Sequence, residues 1–143
     1  MQRLTSTDAR KLPAQTPGAR VMLLSQDPQG LNALRLGSYG CSVETETEIY
    51  SALSGMIDDP MGYDLFVMEC DGFGGIAAAE RAIATLIVAE ARIRVILLSR
   101  EFDAPAYPSG RRSAVSLPDP VSDANFRFGY EHVLRDRITQ FFM

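Results

Sequence analysis

Short, uninterrupted apolar runs set the rhythm of this chain. Arg20-Val21-Met22-Leu23-Leu24, Leu65-Phe66-Val67-Met68 and Arg94-Val95-Ile96-Leu97-Leu98-Ser99 are each bounded by polar residues or turn formers. Continuous rather than alternating apolarity predicts strands covered on both faces of a parallel sheet. Ser42-Val43-Glu44-Thr45-Glu46 alternates instead and predicts a more exposed, edge strand. Ala114-Val115-Ser116-Leu117, ended by Pro118-Asp119-Pro120, is the fifth strand candidate.

Segments of helical period lie between these runs. Asp27-Pro28 opens the first, with proline in its first turn, and Leu31, Leu34 and Leu36 form its apolar side before Gly37 to Gly40 stop it. Glu48 to Ile57 carries Ile49, Leu53, Met56 and Ile57 at helical spacing and breaks at Asp58-Asp59-Pro60. Ile76 to Ala91 is rich in strong helix formers. Ser122 or Asp123 caps a last helix that carries Phe126, Tyr130, Val133, Leu134, Ile138 and Phe141 and runs almost to Met143. Glu101 to Arg112 breaks the alternation, because Pro105, Pro108 and Gly110 disfavour a helix there. Five strands alternating with helices imply an α/β fold, a doubly wound parallel sheet with right-handed crossovers and a degenerate fourth helix.

Residues 1–19 are polar, hold Pro13, Pro17 and Gly18, and read as a flexible lead-in to one domain over residues 20–143. A chain of 143 residues buries roughly two thirds of its unfolded surface in one core. A net charge of −4 disfavours a nucleic-acid surface, which needs clustered Lys and Arg. Lys11 is the single lysine, so a catalytic lysine requires the N-terminal segment to fold back. Two cysteines, Cys41 and Cys70, read as reduced thiols. Met1 to Arg20 lacks the apolar stretch of a signal peptide, and no apolar run approaches the roughly 18 residues of a membrane span. A cytoplasmic protein is expected.

Candidate chemistry gathers where strands end, the place open α/β folds reserve for ligands. Glu69 ends the third run and is followed by the turn Cys70-Asp71-Gly72-Phe73-Gly74-Gly75. Ser25, Gln26 and Asp27 follow the first run, Ser99 ends the fourth, and Asp119-Pro120 follows the fifth.

This pattern resembles the receiver domain of bacterial two-component response regulators over about residues 20 to 143, and implies their flavodoxin-like, five-stranded fold. In that family an acidic pair after the first strand helps hold Mg²⁺; Ser25 and Gln26 stand there, with Asp27 the one nearby acid. The phosphoacceptor aspartate ends the third strand, where this chain has Glu69. The family's hydroxyl residue is matched by Ser99. Its lysine, which precedes a proline, is matched by Asp119 before Pro120.

These departures bear on mechanism. Phosphoryl transfer depends on positioning and on cations that neutralise developing charge, and Mg²⁺ requires hard oxygen ligands. Ser25 and Gln26 offer only neutral oxygens, Asp119 would repel a phosphoryl group, and Glu69 carries its carboxylate one methylene further out. The resemblance thus implies a degenerate pseudo-receiver, not an enzyme, without phosphorylation, Mg²⁺ or other cofactor, acting by contact with a signalling protein or a second copy of itself. An active phosphoacceptor and a nucleotide- or flavin-binding protein are the alternatives. Glu69 as a permanent imitation of a phosphorylated residue is a further reading, weakened because the cations that would read it are missing. The simpler expectation is that Glu69 accepts hydrogen bonds from Ser99, Ser25 or Gln26, with Ser99 the best candidate.

Other features carry less. Gly72-Phe73-Gly74-Gly75-Ile76-Ala77 fits a G-x-G-x-x-A fingerprint, but Glu69, Cys70 and Asp71 separate it from the strand, so a tight turn is expected. His132, the single histidine, reads as a surface residue, Cys70 as a buried structural thiol and Arg111-Arg112 as an exposed turn. In receivers the face built by the fourth helix, fifth strand and fifth helix commonly serves output or dimerisation. Phe128 and Phe141-Phe142-Met143 fit burial there by a partner, or simple closure of the core.

Overall fold

The computed structural model describes residues 18–110 and 113–142, with side chains up to residue 135. The expectations for residues 1–17, for Arg111-Arg112 and for the side chains of Ile138, Phe141, Phe142 and Met143 lie outside the described residues. Strands β1 (Arg20–Leu24), β2 (Ser42–Glu46), β3 (Leu65–Glu69), β4 (Arg94–Ser99) and β5 (Val115–Pro118) alternate with helices α1 (Leu31–Ser38), α2 (Ile49–Asp58) and α3 (Gly75–Val88), and α4 (Asp123–Phe142) follows β5. All neighbouring strands pair in parallel, in the order β2-β1-β3-β4-β5. The order reverses at β1, so the crevice between the ends of β1 and β3 is the switch point of the sheet.

The apolar runs are buried as their composition demands. Met22, Leu24, Phe66, Met68, Val95 and Leu97 pack under α2 and α3, whereas Val21, Leu23, Leu65, Val67, Ile96 and Leu98 pack under α1 and α4. Each fully buried large side chain contributes roughly 1.5–3 kcal/mol of transfer free energy. Ala19, one residue before β1, is buried, and its carbonyl accepts from the Ser42 N–H at 2.9 Å. Ser122 caps α4, its Oγ accepting from the Asn125 N–H at 3.1 Å.

Helix α1 departs from expectation. Asp27-Pro28 forms a separate turn closed by the Gly30 N–H on the Asp27 carbonyl at 2.9 Å, and the helix starts only at Leu31. Leu31 and Leu34 face solvent, 60% and 66% exposed, and Leu36 alone is fully buried. Starting four residues later turns the helix so that Asn32, Ala33, Arg35 and Leu36 approach the sheet and the two leucines point away.

Between β4 and β5 the described residues form turns and bends but no helix. This segment seals the sheet differently on its two sides. Phe102 and Ala114 pack against the α2–α3 core, whereas Tyr107 packs against the α4 core. Ala106 makes an antiparallel bridge to Ser116, with N–H to carbonyl bonds of 2.8 and 3.0 Å, covering the open edge of β5. Tyr107 then meets Phe128 edge-on with ring centroids 4.5 Å apart, and His132 Nε2 lies 2.9 Å from the Pro108 carbonyl. His132 is thus part of a packed aromatic cluster, not a free surface residue. Phe128 remains 47% exposed despite this packing.

Candidate functional site

Strand register decides which groups meet at the switch point. Leu24 pairs with Met68, so the next residue of each strand, Ser25 and Glu69, stand level across β1 and β3. Ser25 is fully buried and donates from Oγ to Glu69 Oε1 at 2.7 Å. Ser25 Oγ in turn accepts from the Asp27 N–H at 2.9 Å, which fixes the hydroxyl. The second carboxylate oxygen, Oε2, accepts from Asn32 Nδ2 on α1 at 2.9 Å. Both oxygens of the half-buried Glu69 are therefore held by neutral donors.

Ser99 does not reach Glu69. Glu69 is level with Leu98 on β4, which places Ser99 one step beyond, beside the turn that follows β3. Its buried hydroxyl donates to Asp71 Oδ1 at 2.6 Å and accepts from the Glu101 N–H at 3.0 Å. Asp71 Oδ2 accepts from the Arg100 N–H at 2.9 Å. That backbone bond, followed by the Ser99 hydroxyl, holds the Asp71 carboxyl below the usual carboxylate range. The strand ends thus carry two separate acid–hydroxyl pairs, Glu69 with Ser25 and Asp71 with Ser99.

The remaining sequence candidates disperse. Gln26 is exposed and donates from Nε2 to the Gly72 carbonyl at 3.1 Å, stapling the two loops. Asp27 turns its side chain into its own turn, where Oδ1 accepts from the Gln29 N–H at 3.3 Å. Asp119 is exposed; its backbone N–H donates to the Ser99 carbonyl at 3.1 Å, and its peptide bond to Pro120 is cis. No side-chain bond among the described residues joins Asp119 to Glu69.

Two groups of this site escaped sequence reasoning. Asn32 was hidden by the leucines around it, which pointed to the wrong face of α1. Asp71 was visible in the turn, but only the register shows that it, not Glu69, lies beside Ser99.

The acids at these strand ends can be set against the needs of Mg²⁺. The ion requires oxygen ligands in near-octahedral array, with carboxylates to balance its charge. Glu69 supplies one carboxylate, while Asp27 and Asp71 make their bonds elsewhere, Asp27 to the Gln29 N–H and Asp71 to the Ser99 hydroxyl and the Arg100 N–H. Among the described residues no group of three or more His, Cys, Asp or Glu side chains is placed to hold a metal ion.

The glycine turn also has a structural explanation. Gly74 and Gly75 both have positive φ, +108° and +79°. A Cβ on Gly75 would lie 2.6 Å from Glu101 Oε2, so a carboxylate already sits against the start of α3. A pyrophosphate approaching that terminus would meet like charge. Cys70 is buried, and its burial pushes the thiol up to about 12, which favours the protonated form.

No family model matches the chain, and no curated protein matches it. A solved structure does: the crystal structure of the signal receiver domain of a protein described as a Luxo repressor, from Vibrio parahaemolyticus. The two share 13% sequence identity and superpose with a TM-score of 0.60 over 87% of this chain and 96% of that one. The chain therefore has the flavodoxin-like fold of receiver domains. Among the described residues, no helix is long and apolar enough to cross a membrane.

Proposed function

We propose that this chain is a receiver-fold signalling module that acts by protein–protein contact and does not accept a phosphoryl group at Glu69. One observation carries the reading: the donors that hold Glu69 are the neutral Ser25 and Asn32, where phosphoryl transfer relies on cations to neutralise developing charge. Neither Gln26, exposed and bonded to the Gly72 carbonyl, nor the exposed Asp119 supplies a cation, which supports it. So does the pairing of Ser99 with Asp71, which removes that hydroxyl from the vicinity of residue 69.

The module binds a signalling protein or a second copy of itself in the cytoplasm, and two free thiols accord with that location. The face formed by β5, α4 and the segment that replaces a fourth helix is the proposed contact surface, and half-exposed Phe128 lies on it against Tyr107. Incubation with acetyl phosphate and Mg²⁺ followed by intact mass measurement tests the phosphoryl part. The expected spectrum is that of the unmodified protein. An added phosphoryl mass that disappears in Glu69→Gln would establish the active phosphoacceptor instead.

A further inference from the structure

The bonds around Glu69 do not end at Asn32. Asn32 Oδ1 accepts from Arg35 Nη1 at 3.0 Å, one turn along α1. Arg35 in turn donates from Nε to Asp123 Oδ1 at 2.7 Å and from Nη2 to the Val121 carbonyl at 2.8 Å. Its side chain is only 10% exposed, and its guanidinium carbon lies 5.5 Å from the centre of the buried Phe126 ring. All three nitrogens of the fork are thus used, and two of them hold the first residue of α4 and the loop before it.

The chemistry of each member suits a two-ended link. An asparagine amide offers a donor to the carboxylate on one side and an acceptor to the guanidinium on the other, which also fixes its orientation. An aspartate at position 32 would keep Arg35 and repel Glu69, and an apolar residue would serve neither. The partly buried setting strengthens such bonds relative to water and makes an unpaired member costly.

We infer that Glu69, Asn32 and Arg35 form a relay that couples the state of Glu69 to the first turn of α4. Any event that takes the Glu69 carboxylate away from Asn32 releases Asn32 to turn, weakens its hold on Arg35 and loosens the Val121–Asp123 anchor. Asn32 and Arg35 are positioning residues here, and the relay stands or falls independently of whether Glu69 accepts a phosphoryl group.

Contiguity alone does not establish coupling, so the test is a thermodynamic cycle read by native-state amide exchange on the full chain. The reporters are the amides of Asn125 and Phe126, which donate to Ser122 Oγ and Ser122 O at 3.1 and 3.0 Å. Amides of Val95 to Leu98 in β4 report global unfolding and serve as the control. Glu69→Ala is expected to speed exchange at the reporters about tenfold relative to β4, the scale of losing one bond to a charged group. In an Asn32→Ala background, or Asn32→Ser should that variant fold better, the same Glu69→Ala change is expected to have no further effect at the reporters. Two results would overturn the relay: reporters that follow β4 in Glu69→Ala, or a Glu69→Ala effect that persists in full without Asn32.

Discussion

Replacing Glu69 by alanine or by glutamine separates a bonding role from a charge role. Alanine removes two acceptors. A bond to a charged group is worth about 1.5–3 kcal/mol when buried, but Glu69 is half-buried and Asn32 can turn to water. Ser25 also has an alternative, since its hydroxyl lies 3.1 Å from the Asp27 carbonyl. Glu69→Ala is therefore expected to cost about 1–2 kcal/mol in total. Glutamine keeps the shape: its carbonyl accepts from Asn32, its amide donates to Ser25 Oγ, and Ser25 redirects its proton to Asp27. Glu69→Gln should cost no more than about 0.5 kcal/mol. Urea unfolding reads the difference, with a slope of about 2 kcal/mol/M turning the alanine penalty into a midpoint drop of about 0.5–1 M. A glutamine variant as unstable as the alanine one would mean that the negative charge itself is held by a cation, and would refute the neutral-donor account.

Other consequences follow from the same bonds. Because the folded state raises the Cys70 thiol to about 12, its contribution is complete below an unfolded thiol value of about 8.5 and is lost as pH rises toward 12. Stability measured between those values should fall less steeply in Cys70→Ala, and a thiol reagent should reach Cys70 only after denaturation. Asp71 shifts the other way: its lowered carboxyl contributes above its unfolded value of about 3.9 and loses that contribution as pH falls through the folded value. Asp71→Asn should accordingly flatten the acid limb of the stability profile, and an unchanged limb would contradict the bond set drawn for Asp71. Gly74→Ala should cost about 1–3 kcal/mol by thermal or urea unfolding, because φ of +108° is closed to alanine and the new Cβ would lie 3.0 Å from that of Ala78.

The sheet was legible because parallel strands covered on both faces need continuous apolar runs, and Val21 to Leu24, Leu65 to Met68 and Val95 to Leu98 have no other plausible place. That the described residues before β5 form no helix was equally legible from Pro105, Pro108 and Gly110. Helix α1 was not, since an eight-residue helix carries too few positions for its apolar side to be unambiguous, and Leu31 and Leu34 outvoted Asn32 and Arg35. At the site, Ser25 and Glu69 were found together because both simply follow the last apolar residue of adjacent strands. The choice between Glu69 and Asp71 as partner of Ser99 depends on a one-residue step in register between β3 and β4. Where both faces of a strand are apolar, as in β3 and β4, a one-residue slide still buries apolar side chains, so patterning leaves the register open.

The central claim is that Glu69 is closed off by Ser25 and Asn32 and takes neither metal nor phosphoryl group. A crystal structure determined with Mg²⁺ and beryllium trifluoride, a phosphoryl analogue, tests it most directly. The account predicts Glu69 still bonded to Ser25 Oγ and Asn32 Nδ2, with no cation or fluoride on its oxygens. Mg²⁺ at about 2.1 Å from a Glu69 oxygen, or beryllium bound to it, would contradict the account.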